Sequence, residues 1–218
     1  MPAVKIPVIG IVGGIGSGKS SLAHGLSDFL RCHRLDGDQV GHAVLQQPEV
    51  ISQLCEQFGE SILNEDRHID RPSVAKLVFG TGETETRNRR QLEAIVHPRI
   101  RKRLQEELDS VRRRGNLDVI ILDAPLLLEA HWDELCDAVV FVDVDRETRL
   151  QRVLNRKWTE DQFAQREQSQ LPLEEKRKRA DVLISNNESL DASSRKLANW
   201  LSARFDFPLP EPVNESEP

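Results

Sequence analysis

The sequence lacks any run of about 18 consecutive apolar residues, which excludes a membrane-spanning helix. Its first 20 residues are too short and too rich in glycine for a secretory leader, and none is expected. Cysteine is scarce: Cys32, Cys55 and Cys136 are widely spaced and form no CxxC, so neither a disulfide framework nor a zinc site is expected, and a reducing, cytoplasmic setting is. The six histidines contain no H-x-x-x-H pair, and no serine stands in a G-x-S-x-G frame, which removes support for a metal site or a serine hydrolase. Positive charge is not in excess. The net charge is −6 and the pI about 5.6, whereas a non-specific nucleic-acid binder is usually basic. The basic runs at residues 99–103, 112–114 and 176–179 are each flanked by glutamates and read as solvated faces. No internal repeat is present. With 218 residues the chain can bury one good-sized core and little more.

What is present alternates between strand and helix. Pro7 to Val12 is a short apolar run, followed by glycines and then by Leu22, Leu26, Phe29 and Leu30 at helical spacing. Further strands are predicted at Asp118 to Leu122, Ala138 to Val144 and Val182 to Ile184. Such alternation predicts an α/β fold with a parallel sheet covered on both faces. The stretch before Asp118 is too long for one crossover and reads as a helical insertion. Pro48 suits a first helical position, with Val50, Ile51, Leu54 and Phe58 behind it and Gly59 as a stop. Pro72 suits another helix start. Leu92, Ile95 and Val96 form one helical face, and Ile100, Leu104, Leu108 and Val111 a second, with a break expected at His97-Pro98. A second, polar helical insertion is expected from about Leu154 to Arg179. The end from Phe207 is rich in proline and glutamate and is expected to be disordered.

The strongest motif is Gly13-Gly14-Ile15-Gly16-Ser17-Gly18-Lys19-Ser20, which fits G-x-x-x-x-G-K-[ST] with a strand before and a helix after. A triphosphate is a dense anion, and glycines let the backbone curl so that its N–H groups point inward. Lys19 then reaches the β- and γ-phosphates and Ser20 the Mg²⁺ ion. An N-K-x-D guanine motif is missing, and Asp123-Ala124-Pro125 is not D-x-x-G, which disfavours a GTPase.

Other residues admit two readings. Asp36 and Asp38 fall where a second strand should end, and alternation on an extended chain would put both carboxylates on one side, facing the site. The same Asp-Gly-Asp also reads as a solvated turn. Asp123, after the strand ending at Leu122, is either a Walker-B-like acid or structural. Arg149, Arg152 and Arg156 share one helical face, either aimed at phosphates from a lid or simply solvated.

The order of motifs resembles the dephospho-coenzyme A kinase family. It is carried by Gly13 to Ser20, Asp36-Gly37-Asp38, Phe58-Gly59 with Ile62-Leu63, Asp70-Arg71 to Phe79, Leu92 to Ile100 with His97-Pro98, Pro125-Leu126-Leu127-Leu128-Glu129, the lid residues Arg152, Arg156 and Gln170, and Ala180 to Asn186. The match spans about residues 8–190. Gly37 stands where the family usually has alanine, and Ser21 where threonine is common.

The resemblance implies a three-layer P-loop kinase fold with a five-stranded parallel sheet, a helical substrate-binding insertion and a helical lid. The implied core is residues 1–38, 116–150 and 180–206, with the coenzyme A-binding insertion at 39–115, the lid at 151–179 and a disordered tail at 207–218. It implies transfer of the ATP γ-phosphate to the ribose 3′-hydroxyl of dephospho-coenzyme A, the last step of coenzyme A synthesis. Asp38 is then the general base, and Lys19, Arg152 and Arg156 complete the catalytic set. Gly14, Ile15, Gly16, Ser17, Gly18, Lys19, Ser20 and Ser21 bind ATP. Asp36, Arg71, His97, Pro125, Leu126, Leu127 and Glu129 line the acceptor pocket, and Ser20 and Asp123 attend Mg²⁺. The expected partner is this small molecule alone, with no nucleic acid or membrane, and a monomer is the expected state. The alternatives are a kinase for another small acceptor and a nucleotide-dependent switch without acceptor chemistry.

Overall fold

The computed structural model describes residues 5–80 and 82–209. Its described part contains a five-stranded parallel sheet of order β2-β3-β1-β4-β5. The strands are β1 (Val8–Gly13), β2 (Cys32–Asp36), β3 (Val119–Asp123), β4 (Ala138–Asp143) and β5 (Val182–Ser185). β1 pairs in parallel with β3 (Ile11 opposite Asp123) and with β4 (Gly13 opposite Val142), and β4 pairs in parallel with β5. The three inner strands are almost wholly buried and read as unbroken apolar runs. The edge strand β2 is largely polar, β5 ends in Ser185, and β3 and β4 each end in an aspartate, Asp123 and Asp143. Consecutive strands lie to either side of β1, so the loop that follows β1 stands at the topological switch of the sheet, where open α/β folds bind ligands.

Helices α1 (Lys19–Gly25) and α9 (Leu190–Phe205) cover one face. There Leu22, Leu26, Leu197 and Leu201 pack on Ile9, Ile11, Val119, Ile121, Val140 and Val142. On the other face α8 (Leu173–Lys178) packs on β1, and the Arg177 guanidinium lies 5.2 Å from the Phe141 ring centroid. The chain end does not detach where the tail was expected to begin. Phe207 and Leu209 are half-buried against the same core, and the Phe207 carbonyl accepts from Ser202 Oγ at 2.6 Å. The remainder of that segment, residues 210–218, lies outside the described residues.

The chain divides into two compact units: residues up to Leu35 together with those from Leu108, and Asp36–Glu107. The second unit contains α2 (Gly37–Leu45), α3 (Pro48–Phe58), α4 (Arg71–Val78) and most of α5 (Glu83–Arg114). Pro48 and Pro72 stand in the first turns of α3 and α4, where their missing N–H costs nothing. Val40, Val44, Val50, Leu54, Ile62, Ile69, Val74 and Val78 are buried in this unit. Asp70 caps α4, accepting from Ser73 N at 3.1 Å. The break expected at His97-Pro98 is absent: α5 runs through Pro98 without interruption. Val96, Ile100, Leu104, Leu108 and Val111 form one buried stripe across the proline, and their packing outweighs the lost Ala94 hydrogen bond.

Because Pro98 is exposed, replacing it releases the helix without opening a cavity. Pro98→Ala is expected to stabilise the protein by about 1–3 kcal/mol, read as a higher urea midpoint with unchanged m-value. An unchanged midpoint would show that the proline is accommodated at no cost, and a lower one that it stabilises the protein through the unfolded chain.

Candidate functional site

The loop after β1 is built around its carbonyls. Turning N–H groups toward an anion turns the carbonyls outward, and each then needs a donor. Lys19 Nζ donates to Gly13 O at 3.2 Å and Gly14 O at 3.0 Å. Arg149 Nη1 donates to Ile15 O at 3.3 Å. Arg152 Nη1 reaches Ser17 O at 3.3 Å and Gly16 O at 3.5 Å, and Asn186 Nδ2 donates to Ser17 O at 2.8 Å. Gly18 is the cap of α1 with φ 83°, and Gly16 has φ 78°, both left-handed and suited to glycine. At Gly16 a Cβ would also lie 2.5 Å from the Arg149 carbonyl oxygen, so the backbone approach itself requires glycine.

The arginines differ from the lid face expected of them. Helix α6 (Arg146–Leu154) ends before Arg156, and Lys157 turns the chain with φ 65°. The shared face therefore stops at Arg152, and Arg156 is exposed on the turn beyond. Arg149 is only 3% exposed and is held by Val144 O at 3.2 Å and Glu167 Oε1 at 2.6 Å. Its guanidinium carbon lies 5.5 Å from the centroid of buried Phe163 in α7 (Glu160–Gln168). Arg152 Nη2 also donates to Asn186 O at 2.9 Å, tying α6, the loop and the end of β5 together.

Lys19 is surrounded by charge of both signs. Burial lowers its pKa to about 8, Asp123 and Glu129 oppose that shift, and Lys176 and Arg149 add to it. Asp123, at the end of β3, is 6% exposed and pairs with Arg34 at 3.3 Å. Glu129 Oε1 faces Lys176 Nζ at 3.0 Å within the core unit, while its buried Oε2 has no hydrogen-bond partner among the described residues. Leu127 does not belong to a binding surface. It is fully buried, with Gly10 and Cys136 beside it, because the turn after β3 must close the sheet's second face. Pro125 and Leu126 are half-buried in that turn.

The aspartates of Asp36-Gly37-Asp38 do not alternate on an extended chain. Asp36 is the cap of α2, and its Oδ1 accepts from Asp38 N at 3.0 Å and Gln39 N at 3.2 Å. Asp38 is exposed in the first turn. In the same unit Arg71 opens α4 and is exposed, and His97 is half-buried within α5, where burial holds its pKa below the ordinary histidine value. Arg149 and Asn186 brace the loop and Glu167 holds Arg149; sequence reasoning read Arg149 only as part of a lid or solvated face and gave Glu167 and Lys176 no role. The A-D-x-x-I-x-N element was the one available pointer to Asn186.

A phosphate-binding loop at the switch point of a five-stranded parallel sheet defines a P-loop phosphotransferase fold. The dephospho-CoA kinase family model matches residues 7–192. A dephospho-CoA kinase from Halalkalibacterium halodurans is 37% identical over 196 residues, covering 89% of this chain and 94% of the relative. One from Carboxydothermus hydrogenoformans is 35% identical over 198 residues, covering 90% and 93%. Among solved structures, TT1252 from Thermus thermophilus aligns with TM-score 0.75 and 33% identity over 91% of this chain and 98% of the other. The Campylobacter jejuni dephospho-CoA kinase aligns with TM-score 0.58 and 23% identity over 90% and 98%, a likeness of fold. The chain belongs to the dephospho-CoA kinase family.

The lowered pKa of Lys19 sets a pH dependence. The unfolded side chain titrates at its ordinary 10.5 and the folded one at about 8, so the unfolded state binds more protons between those values and stability from this group rises with pH there. A bound triphosphate favours the ammonium, so affinity must fall as pH rises above about 8. ATP binding measured by calorimetry without divalent metal is expected to weaken by up to about tenfold per pH unit above that point. In Lys19→Arg this limb should vanish, because arginine does not titrate in the range. A limb that persists in Lys19→Arg would assign it to another group.

Proposed function

We propose that this chain transfers the γ-phosphoryl group of ATP to the ribose 3′-hydroxyl of dephospho-coenzyme A, yielding coenzyme A and ADP. The observation that carries the reading is the braced loop of Gly13 to Ser20 in a chain of this family, with Lys19 held at its mouth by loop carbonyls alone. Those two contacts are of the kind a phosphate would replace. Gly14, Ile15, Gly16, Ser17, Gly18, Lys19, Ser20 and Ser21 form the ATP site, in which Lys19 neutralises the β/γ region. The use of ATP supports a cytoplasmic location.

Ser20 and Asp123 are hard oxygen donors of the type Mg²⁺ takes, and Ser20 is exposed. No group of three or more His, Cys, Asp or Glu side chains able to hold a metal occurs among the described residues, which suits an ion held chiefly by substrate phosphates and water. When bound, Mg²⁺ would supply charge neutralisation to the triphosphate.

Asp38 is the proposed general base. The Asp36 cap fixes the first turn of α2 and so orients Asp38, making Asp36 a positioning residue in this reading. Asp38 accepts the 3′-hydroxyl proton as the oxygen attacks phosphorus, and the leaving oxygen departs on ADP. Arg71, His97, Pro125 and Leu126 are the proposed acceptor contacts. Arg156 is the proposed lid cation, exposed and on a turn. Arg152 serves the same site through the loop carbonyls it already holds. Positioning and preorganised charge supply most of the catalysis in such chemistry.

Asp38→Asn is expected to lower kcat by about 10²–10⁴-fold with ATP affinity nearly kept, read in a coupled ADP-release assay. The same assay run with a panel of acceptors should give turnover with dephospho-coenzyme A and not with nucleoside monophosphates or sugar acids. Unchanged turnover in Asp38→Asn would remove the base assignment. ATP turnover without any acceptor would favour a nucleotide switch.

A further inference from the structure

Lys176 is 1% exposed and has no part in the steps above. A buried ammonium is costly unless it is paired and hydrogen-bonded. Its Nζ lies 3.0 Å from Glu129 Oε1 and donates to Gln170 Oε1 at 3.1 Å. The same Glu129 oxygen accepts the Leu171 main-chain N–H at 2.9 Å. Three segments therefore meet at this pair: the turn after β3, the chain at 170–171, and α8.

That junction lies beside the phosphate loop. Gln170, Leu171, Pro172 and Leu173 wall a cavity of about 310 Å³ whose other lining includes Gly14 and Ile15. Helix α8, which bears Lys176, packs on β1, the strand that leads into the loop. The Lys176 charge adds to the lowering of the Lys19 pKa, beside the burial that dominates that shift. A fixed cation in a site of low dielectric acts on an anion over longer range than an exposed one.

We propose that Lys176 is a positioning residue of the triphosphate site, a second buried cation that Glu129 and Gln170 hold behind the wall of that cavity and that favours the polyphosphate end of a nucleoside triphosphate. The inference rests on the reading of Gly14 to Ser21 as the ATP site. It reassigns Glu129 from the acceptor pocket to the support of this cation. The ligand chemistry is polyanionic: the effect must grow with the number of phosphates and be absent for the base and ribose.

Lys176→Met alone would strand a buried carboxylate, so the informative variant is Glu129→Gln with Lys176→Met, which removes both charges. Binding of ATP and of AMP is measured by calorimetry at low salt without acceptor, alongside a thermal melt. The expected result is a Tm within a few degrees of wild type, a Kd for ATP raised about tenfold and a Kd for AMP unchanged. Lys176→Arg keeps the charge and should hold the ATP-to-AMP selectivity within about threefold of wild type. Equal weakening of ATP and AMP would reduce the pair to a structural role and overturn the inference. So would unchanged ATP affinity, or a folded Lys176→Arg as impaired as the double variant. If the double variant fails to fold, Gln170→Leu keeps the ion pair while loosening the wall. It should weaken ATP alone by about threefold, and an unaltered ATP-to-AMP ratio there overturns the inference. Both readings omit the acceptor, so an error in the acceptor assignment changes neither.

Discussion

A loop that offers its N–H groups to a phosphate must dispose of its carbonyls, and much of the core unit is organised by that requirement. Gly13 and Gly14 present their carbonyl oxygens to the motif's own Lys19, and Ile15, Gly16 and Ser17 present theirs to side chains from elsewhere. The donors come from α1, α6 and the end of β5, which is why these elements converge on the loop. Arg149 is the most constrained of them. Its burial is compatible with charge because Glu167 pairs with it and Phe163 lies under it. The glycine at position 16 is the other side of this contact, since any side chain there would meet the Arg149 backbone.

The second constraint is charge. The chain is acidic overall, yet its core unit buries or half-buries cations around one loop. Three are matched by carboxylates: Arg34 by Asp123, Arg149 by Glu167, Lys176 by Glu129. Lys19 and Arg152 rest on carbonyls instead, and Lys19, at the mouth of the loop, is placed to exchange its carbonyls for an arriving phosphate. The acidic partners thus keep the other cations fixed without cancelling the site. An overall charge of −6 is compatible with an anionic substrate because the electrostatics that matter are local.

Much of the fold was legible because its signals are local. The apolar runs at Val8–Gly13, Val119–Asp123, Ala138–Asp143 and Val182–Ser185 are strands as expected, and the glycine loop stands between β1 and α1. Only β2 had no apolar run to announce it, being an edge strand with a single buried residue. The errors occurred where a tertiary partner outweighs a local rule. Pro98 does not break α5, because the buried stripe on both sides holds the helix. Asp36 and Asp38 do not alternate, because Asp36 satisfies the amides of α2. The face of Arg149, Arg152 and Arg156 was cut short by a helix end that no residue type marks.

The sequence by itself determined the nucleotide loop, the α/β class, the order of its motifs and hence the family, because each depends on residue type at short spacing. What only the tertiary structure decided is the use of the charged side chains. Arg149 and Arg152 became braces, Glu129 a counter-ion, Leu127 core, and Lys176 and Asn186 members of the site's surroundings. Glu129 and Lys176 are 47 positions apart in the chain and 3.0 Å apart in space. Such partnerships follow from how strands and helices are brought together, and spacing along the sequence carries no record of them.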